Sequence, residues 1–102
     1  MFNNNNIAPA EMIRILGSRF REYRMRRNLT QKDVSERSAI SIPTIYKFET
    51  GQATDMSLAN LLKLMRVVGI DSNWNLLIPE LPESPYMYKD DKKRQRVSKH
   101  QK

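Results

Sequence analysis

The chain has 102 residues, with 18 lysines and arginines against 11 acidic residues and a net charge of +7. This length allows one compact core with tails, and the absence of cysteine excludes disulfides and thiolate metal sites. The apolar runs are too short to cross a membrane, and the N-terminus lacks a secretory pattern, so we expect a cytoplasmic protein. The basic charge favours a polyanionic partner, but it does not distinguish DNA from RNA or an anionic membrane.

Three segments differ in composition. Residues 1–8 contain four consecutive asparagines and little to bury, which predicts disorder. Residues 9–78 alternate apolar stripes with helix caps, which predicts an all-α, compact five-helix bundle. Residues 79–102 contain three prolines at three-residue spacing and then a basic run, which predicts a flexible tail.

The first helix is expected to begin at Pro9 or Ala10, because proline suits the first turn of a helix. Its expected core face carries Leu16, Phe20 and Tyr23 at helical spacing. Asn28 is expected to end the helix in a left-handed conformation.

Residues 29–51 predict two short helices joined by a tight turn. Thr30 is a candidate N-cap of the first, with Asp33 as its capping-box partner. Ser41 is a candidate N-cap of the second, which Gly51 ends. Apolar positions for a partner helix to cover are Val34, Ala39 and Ile40. Two helices crossing at a steep angle over such a turn form a helix-turn-helix, whose second helix fits a DNA major groove.

A fourth helix is expected between the cap Ser57 and the terminator Gly69. Its predicted apolar stripe consists of Leu58, Leu61, Leu62, Met65 and Val68. Asp71 is expected to cap a short final helix that holds Trp74, Leu77 and Ile78.

The motifs LGSRFREYR, LTQKDVSERSAIS and TIYKFETG, followed by the leucine-rich helix, occur in a characteristic order and spacing. Over residues 16–78 the chain resembles the Cro/C1-type (Xre-like) helix-turn-helix regulators. This resemblance implies a lambda-repressor-like DNA-binding domain. Ala39 departs from the pattern, since the family usually has glycine in that turn.

The resemblance also implies where DNA would be contacted. In the family, the start of helix 2 and the exposed face of helix 3 touch the duplex. The predicted DNA-binding residues are Arg27, Thr30, Gln31, Ser41, Ile42, Pro43, Thr44, Tyr46, Lys47 and Thr54. Other interpretations stay open. Ile42 and Pro43 would cover a neighbouring helix or a dimer partner, whereas Arg27, Gln31, Tyr46 and Lys47 would be surface residues without a contact to DNA.

By the same resemblance, Arg24 and Glu49 form a structural ion pair between helices 1 and 3 rather than a DNA contact. Such a pair would orient the helix that enters the groove.

The expected partner is double-stranded DNA with a near-palindromic site, bound by a homodimer. The candidate dimer residues are Trp74, Leu77 and Ile78, although Trp74 would serve equally well to close the monomer core. The segment NWNLLIPELPESPYMYKDDKKRQRV resembles the C-terminal pattern of HipB-like antitoxins. That resemblance implies a HipA-like serine/threonine kinase toxin as a partner and repression of the shared operon. The alternative is a stand-alone or phage-type regulator without a toxin.

Catalysis and cofactor binding are not expected. The single histidine is His100, in the tail, and no set of residues has the spacing of a metal site or a catalytic group. RNA binding is disfavoured because no aromatic platform accompanies the basic residues.

Overall fold

The computed structural model describes residues 6–82. The disorder expected at residues 1–8 and the flexible tail expected at residues 79–102 fall mainly on residues 1–5 and 83–102, outside this range.

Residues 9–82 form four α-helices followed by one 3₁₀ helix, and residues 6–82 contain no strand. The α-helices are α1 (Pro9–Arg26), α2 (Gln31–Ser38), α3 (Ile42–Glu49) and α4 (Leu58–Val67), and the 3₁₀ helix spans Asp71–Leu76. The prediction of an all-α bundle is confirmed.

The helix ends follow from their capping residues. Pro9 opens α1, and Ser57 Oγ caps α4 by accepting the Asn60 backbone N–H at 3.0 Å. Asn28, with φ of 56°, ends the turn after α1, while Gly69, with φ of 81°, follows α4. These left-handed residues stop the helices where the sequence predicts.

The core lies between the four α-helices. It consists of Phe20, Val34, Ile40, Ile45, Phe48, Leu64 and Val68. The rings of Phe20 and Phe48 join α1 to α3, with centroids 5.9 Å apart and planes tilted by 36°.

A glycine allows α1 and α3 to touch. At Gly17 an added Cβ would lie 2.7 Å from the carbonyl carbon of Phe48 and closer still to its oxygen. Since no side chain stands between the two backbones, α1 packs directly on the last turn of α3.

Three predicted core positions are wrong. Tyr23 is 39% exposed, because the inward side of α1 is set by Gly17, Phe20 and Arg24, and its ring instead lies beside Arg27. Ala39 is exposed because it forms the left-handed turn after α2. Leu58 is 61% exposed at the first turn of α4, whose buried position is Leu64.

The final helix also differs from the prediction. It is a 3₁₀ helix that ends at Leu76, so Leu77 and Ile78 lie beyond it. Pro79 disfavours a helical conformation at Ile78, so the helix could not extend beyond Leu77, and 3₁₀ helices are generally short. Asp71 is the first residue of the helix rather than its cap, and its carboxylate lies 3.8 Å from Nε of Arg66.

Candidate DNA interface

The start of α2 is held by a reciprocal capping box. Thr30 Oγ1 accepts the backbone N–H of Asp33 at 3.0 Å, and an Asp33 carboxylate oxygen accepts the backbone N–H of Thr30 at 2.9 Å. The backbone hydrogen bond from Thr30 lowers the pKa of Asp33 below its ordinary value. Capping orders the first turn of α2, and Gln31 is the first residue of that helix.

Between α2 and α3 the chain reverses through Ala39, whose φ is 62° and ψ is 22°. The Ile40 backbone N–H then donates to Ser38 Oγ at 3.1 Å, which satisfies a buried donor in the turn. This short turn sets α3 at its angle to α2.

The first turn of α3 is fixed by hydroxyl groups and a proline. Ser41 Oγ accepts the Thr44 backbone N–H at 3.4 Å and lies 2.9 Å from the Thr44 hydroxyl. Pro43 lies in the first turn, where a missing N–H costs nothing. Ser41 therefore has a capping role in addition to the DNA contact predicted for it.

The two sides of α3 differ sharply. Ile45, Phe48 and Glu49 are buried. The opposite side, which we call the outer face of α3, consists of Ile42, Pro43, Thr44, Tyr46 and Lys47. All are exposed except Thr44, which is half-buried. All five are among the residues for which the family resemblance implies DNA contacts, and they form one continuous surface.

Glu49, at the last position of α3, is the centre of a buried polar network, and its side chain has 0% exposure. Arg24 makes a two-pronged contact with this carboxylate, through Nε at 2.7 Å and Nη2 at 2.8 Å. Arg24 also donates through Nη1 to the Leu29 carbonyl at 2.9 Å, and Gln31 Nε2 donates to Glu49 at 3.1 Å. We call Arg24, Leu29, Gln31 and Glu49 the Glu49 network.

The Glu49 network joins α1, the α1–α2 loop and α2 to the end of α3. The structure thus contains the Arg24–Glu49 pair that the family resemblance implies. Hydrogen bonding to Glu49 raises the pKa of the Arg24 guanidinium, so Arg24 stays charged. A buried carboxylate with three donated hydrogen bonds fixes the orientation of α3 against the rest of the domain.

Thr54 lies beside the outer face of α3. It lines a groove together with Lys47 and Ser57, which caps α4. The loop that carries Thr54 is tied to α3, because the Lys47 carbonyl accepts the backbone N–H groups of Gln52 and Ala53 at 2.9 and 3.1 Å.

Arg27 lies apart from this surface. Its guanidinium is 5.6 Å from the Tyr23 ring centre, and Nη2 is 3.5 Å from where a Cβ on Gly69 would be. Gly69 follows the C-terminus of α4, whose ten residues span about 15 Å, whereas Ser57, in the groove, precedes its N-terminus. Arg27 would have to leave these neighbours to reach a phosphate.

Trp74, Leu77 and Ile78 form a separate surface after α4. The Arg66 guanidinium lies 4.6 Å from the Trp74 ring centre, and the indole N–H of Trp74 is buried without a hydrogen-bond partner among residues 6–82. Leu77 and Ile78 are exposed, Ile78 to 86%.

Sequence reasoning missed two features of the site. One is Gly17, which allows the close approach of α1 to α3; a glycine inside an apolar helical pattern, seven residues before Arg24, is the signal that marks it. The other is the bond from Gln31 to Glu49, which no sequence spacing indicates.

Two short helices joined by a tight left-handed turn, the second with an open outer face, define a helix-turn-helix protein. The model of the helix-turn-helix domain family matches residues 15–73, more than half of the chain. The chain therefore belongs to this family of DNA-binding domains. No curated protein matches the chain. Within residues 6–82, every helix is too short or too polar to span a bilayer.

Proposed function

We propose that the protein is a sequence-specific transcriptional repressor of the Xre-like type that inserts α3 into the major groove of DNA. The observation that carries the proposal is the outer face of α3, which is open to solvent while its far end is fixed by the Glu49 network. A helix that is anchored from behind and free in front suits groove insertion.

The chemistry of the outer face favours particular bases. Ile42 and Pro43 offer no side-chain hydrogen bonds, so their natural targets are the methyl groups of thymine. Lys47 is the cation of this face and suits the O6 and N7 acceptors of guanine. Thr44 and Tyr46 carry hydroxyls that suit either a base or a phosphate.

Phosphate contacts would flank these base contacts. The first turn of α2 offers backbone N–H groups with Thr30 and Gln31. Ser41 directly precedes α3, and Thr54 lies in the loop after α3, in the groove beside Lys47. We include Arg27 as an outer phosphate contact, reached by moving away from Tyr23. Binding should weaken with salt, with a log–log slope of about −0.9 per neutralised phosphate.

We further propose that a second copy of the chain covers the surface around Trp74, Leu77 and Ile78. Leu76, Leu77, Ile78 and Leu81 are exposed within six residues, and the nearby indole N–H of Trp74 has no hydrogen-bond partner among the described residues. A homodimer would bury this apolar surface and would place two α3 helices on half-sites about 34 Å apart or a multiple of that distance.

The dimer is tested by sedimentation. Ile78→Asp introduces a charge on the proposed interface, and the variant should be monomeric at concentrations where the wild type is dimeric. Leu58→Asp is the matched control at another exposed leucine and should stay dimeric. A dimer that persists in Ile78→Asp, or a monomeric wild type, would contradict this interface.

The DNA-binding proposal is tested by selecting bound duplexes from a random pool and measuring affinity for the preferred site. Lys47→Ala should weaken that affinity by about 1–3 kcal/mol and relax the requirement for guanine at one position. Pro43→Ala should do the same at a thymine. Lys63→Ala removes the same charge from an exposed position on α4 and is the control. Unchanged selectivity in both outer-face variants would refute the proposal.

A narrower proposal is that the protein is a HipB-like antitoxin. Its support is the sequence resemblance that begins near Trp74 and extends to Val97, most of which falls outside the described residues. As an antitoxin the protein would neutralise a HipA-like kinase and repress their shared operon. Co-purification with a kinase encoded beside it supports this role, whereas a purified pair that never co-elutes leaves the stand-alone regulator.

A further inference from the structure

Gln31 lies at the start of α2, and its side chain makes a hydrogen bond to a buried residue. Its side chain is half-buried, and Nε2 donates to Oε1 of Glu49 at 3.1 Å. The same oxygen accepts Nη2 of Arg24 at 2.8 Å, while the second oxygen accepts Nε of Arg24. Among residues 6–82, Gln31 thus links α2 to a fully buried carboxylate whose other donors come from α1.

The amide of Gln31 has donors for two partners. Its Nε2 carries two hydrogens, of which the bond to Glu49 uses one. Among residues 6–82 the Glu49 carboxylate is the partner of the Gln31 side chain, so the second hydrogen is available to the oxygen of the proposed phosphate contact. One amide group can therefore join a phosphate to the carboxylate that fixes α3.

Because Glu49 lies at one end of α3, the hydrogen bond that it accepts from Gln31 affects the position of the outer face of α3. Glu49 is the last residue of α3, and Ile42 is the first. A helix of eight residues is about 12 Å long, so a rotation of about 5° around the Glu49 end moves Ile42 by about 1 Å. Recognition contacts need placement to about 0.5 Å, so a small loosening at Glu49 is enough to disturb them.

We propose that Gln31 is a positioning residue: through its hydrogen bond to Glu49 it sets the angle of α3 and so determines how well the protein distinguishes its preferred site from altered ones. This inference rests on the proposed DNA-binding function and deepens it. A glutamine that contacted only phosphate would add affinity equally to every sequence, since phosphates carry no sequence information.

The test compares two glutamines that receive the same substitution. Gln31→Met keeps the length of the side chain and removes the amide that donates to Glu49 and could donate to a phosphate. Gln52→Met makes the same change on the exposed loop after α3, at a side chain with no hydrogen bond within residues 6–82. For each variant, affinity is measured on the preferred duplex and on a duplex with one changed base pair that the outer face of α3 reads.

For Gln31→Met we expect the ratio of the two affinities to fall about tenfold, the effect of losing one hydrogen bond to a charged group. For Gln52→Met we expect both affinities to change by the same factor, leaving the ratio at the wild-type value. The salt dependence should match the wild type in both variants, because neither change removes a charge.

Gln31→Lys provides the rescue. A lysine can donate to Glu49 from the same position, so the affinity ratio should recover toward the wild-type value. Thermal unfolding by circular dichroism establishes that every variant is folded. A ratio that stays at the wild-type value in Gln31→Met, with affinities for both duplexes reduced equally, overturns the inference. A wild type that binds no duplex overturns the proposed function itself, so the two failures are distinguishable.

Discussion

The close approach of α1 to α3 predicts a large effect for the smallest possible substitution, Gly17→Ala. The added Cβ would lie 2.7 Å from the carbonyl carbon of Phe48, whereas ordinary contacts of a Cβ begin near 3.4 Å. The obstacle is backbone, which cannot rotate away as a side chain would. The carbonyl oxygen of Phe48 would lie closer still, so the two helices must separate by more than the roughly 0.7 Å that the carbonyl carbon alone requires.

That separation has a cost that can be bounded. Overpacking of this kind costs about 1–3 kcal/mol. Moving α1 also stretches the bonds of Arg24, two turns further along the same side of the helix, and each hydrogen bond to a charged group contributes about 1.5–3 kcal/mol. Alanine returns about 1 kcal/mol through its higher helix propensity. We expect a net loss of about 2–4 kcal/mol, or a fall in Tm of about 10–25 °C for a domain of this size.

Urea and thermal unfolding followed by circular dichroism measure this loss. Ser18→Ala is the control, because Ser18 is the next residue in α1, is exposed, and gains helix propensity without a new contact. Ser18→Ala should leave stability unchanged or slightly raised. A Gly17→Ala protein as stable as the wild type would refute the reasoning, since it would mean that the two backbones are not in contact.

Three further predictions concern the turn, the ion pair and the capping box. Ala39→Gly should raise stability by about 1 kcal/mol, because alanine is strained at φ of 62°; an unchanged or lower Tm contradicts this. Arg24→Glu and Glu49→Arg should each lower the free energy of unfolding, measured in urea, by about 3–5 kcal/mol, and the double variant should recover much of that loss. A double variant whose loss equals the sum of the two single losses would contradict this. Asp33 has a lowered pKa in the folded protein, so its stabilising effect is present above the ordinary value of 3.8 and is lost as pH falls through the folded value. Accordingly, the stability difference between the wild type and Asp33→Asn should be present at pH 7 and should vanish in acid; a difference that persists at pH 2 would exclude this cause.

The helices and their ends could be predicted because the chemistry that fixes them is local. Thr30, Ser41 and Ser57 each bond a backbone N–H three residues ahead, and a polar residue followed by a helical pattern is visible in the sequence. Left-handed residues are equally local, which is why Asn28 and Gly51 could be identified as stops.

Which residues are buried was harder to predict, because burial depends on how helices rotate against each other. Tyr23 fits an apolar stripe drawn from spacing alone, yet the contact at Gly17 turns α1 so that Arg24 faces inward instead. The same applies to Leu58 and Leu64 on α4. Periodicity gives the presence of an apolar side, but the exact rotation is set by the partner helix.

The candidate site likewise has one part that could be predicted from the sequence and one part that could not. The outer face of α3 could be assigned once Ile45 and Phe48 were placed in the core and Glu49 was paired with Arg24, since the other positions must point outward. The bond between Gln31 and Glu49 could not, because it joins side chains eighteen positions apart and depends on the crossing angle of α2 and α3.

The net charge is distributed unevenly between the helical domain and the C-terminal residues. Residues 6–82 hold 11 of the basic residues and 8 of the acidic ones, a net of +3, whereas residues 83–102 hold 7 and 3, a net of +4. The outer face of α3 contributes only the charge of Lys47 and is otherwise apolar or hydroxylic. Under the proposed function, attraction to phosphates, which is long-ranged and indifferent to sequence, would therefore depend heavily on residues 83–102. Discrimination between bases would depend on the shape and methyl contacts of α3, and those need the rigid orientation that the Glu49 network supplies.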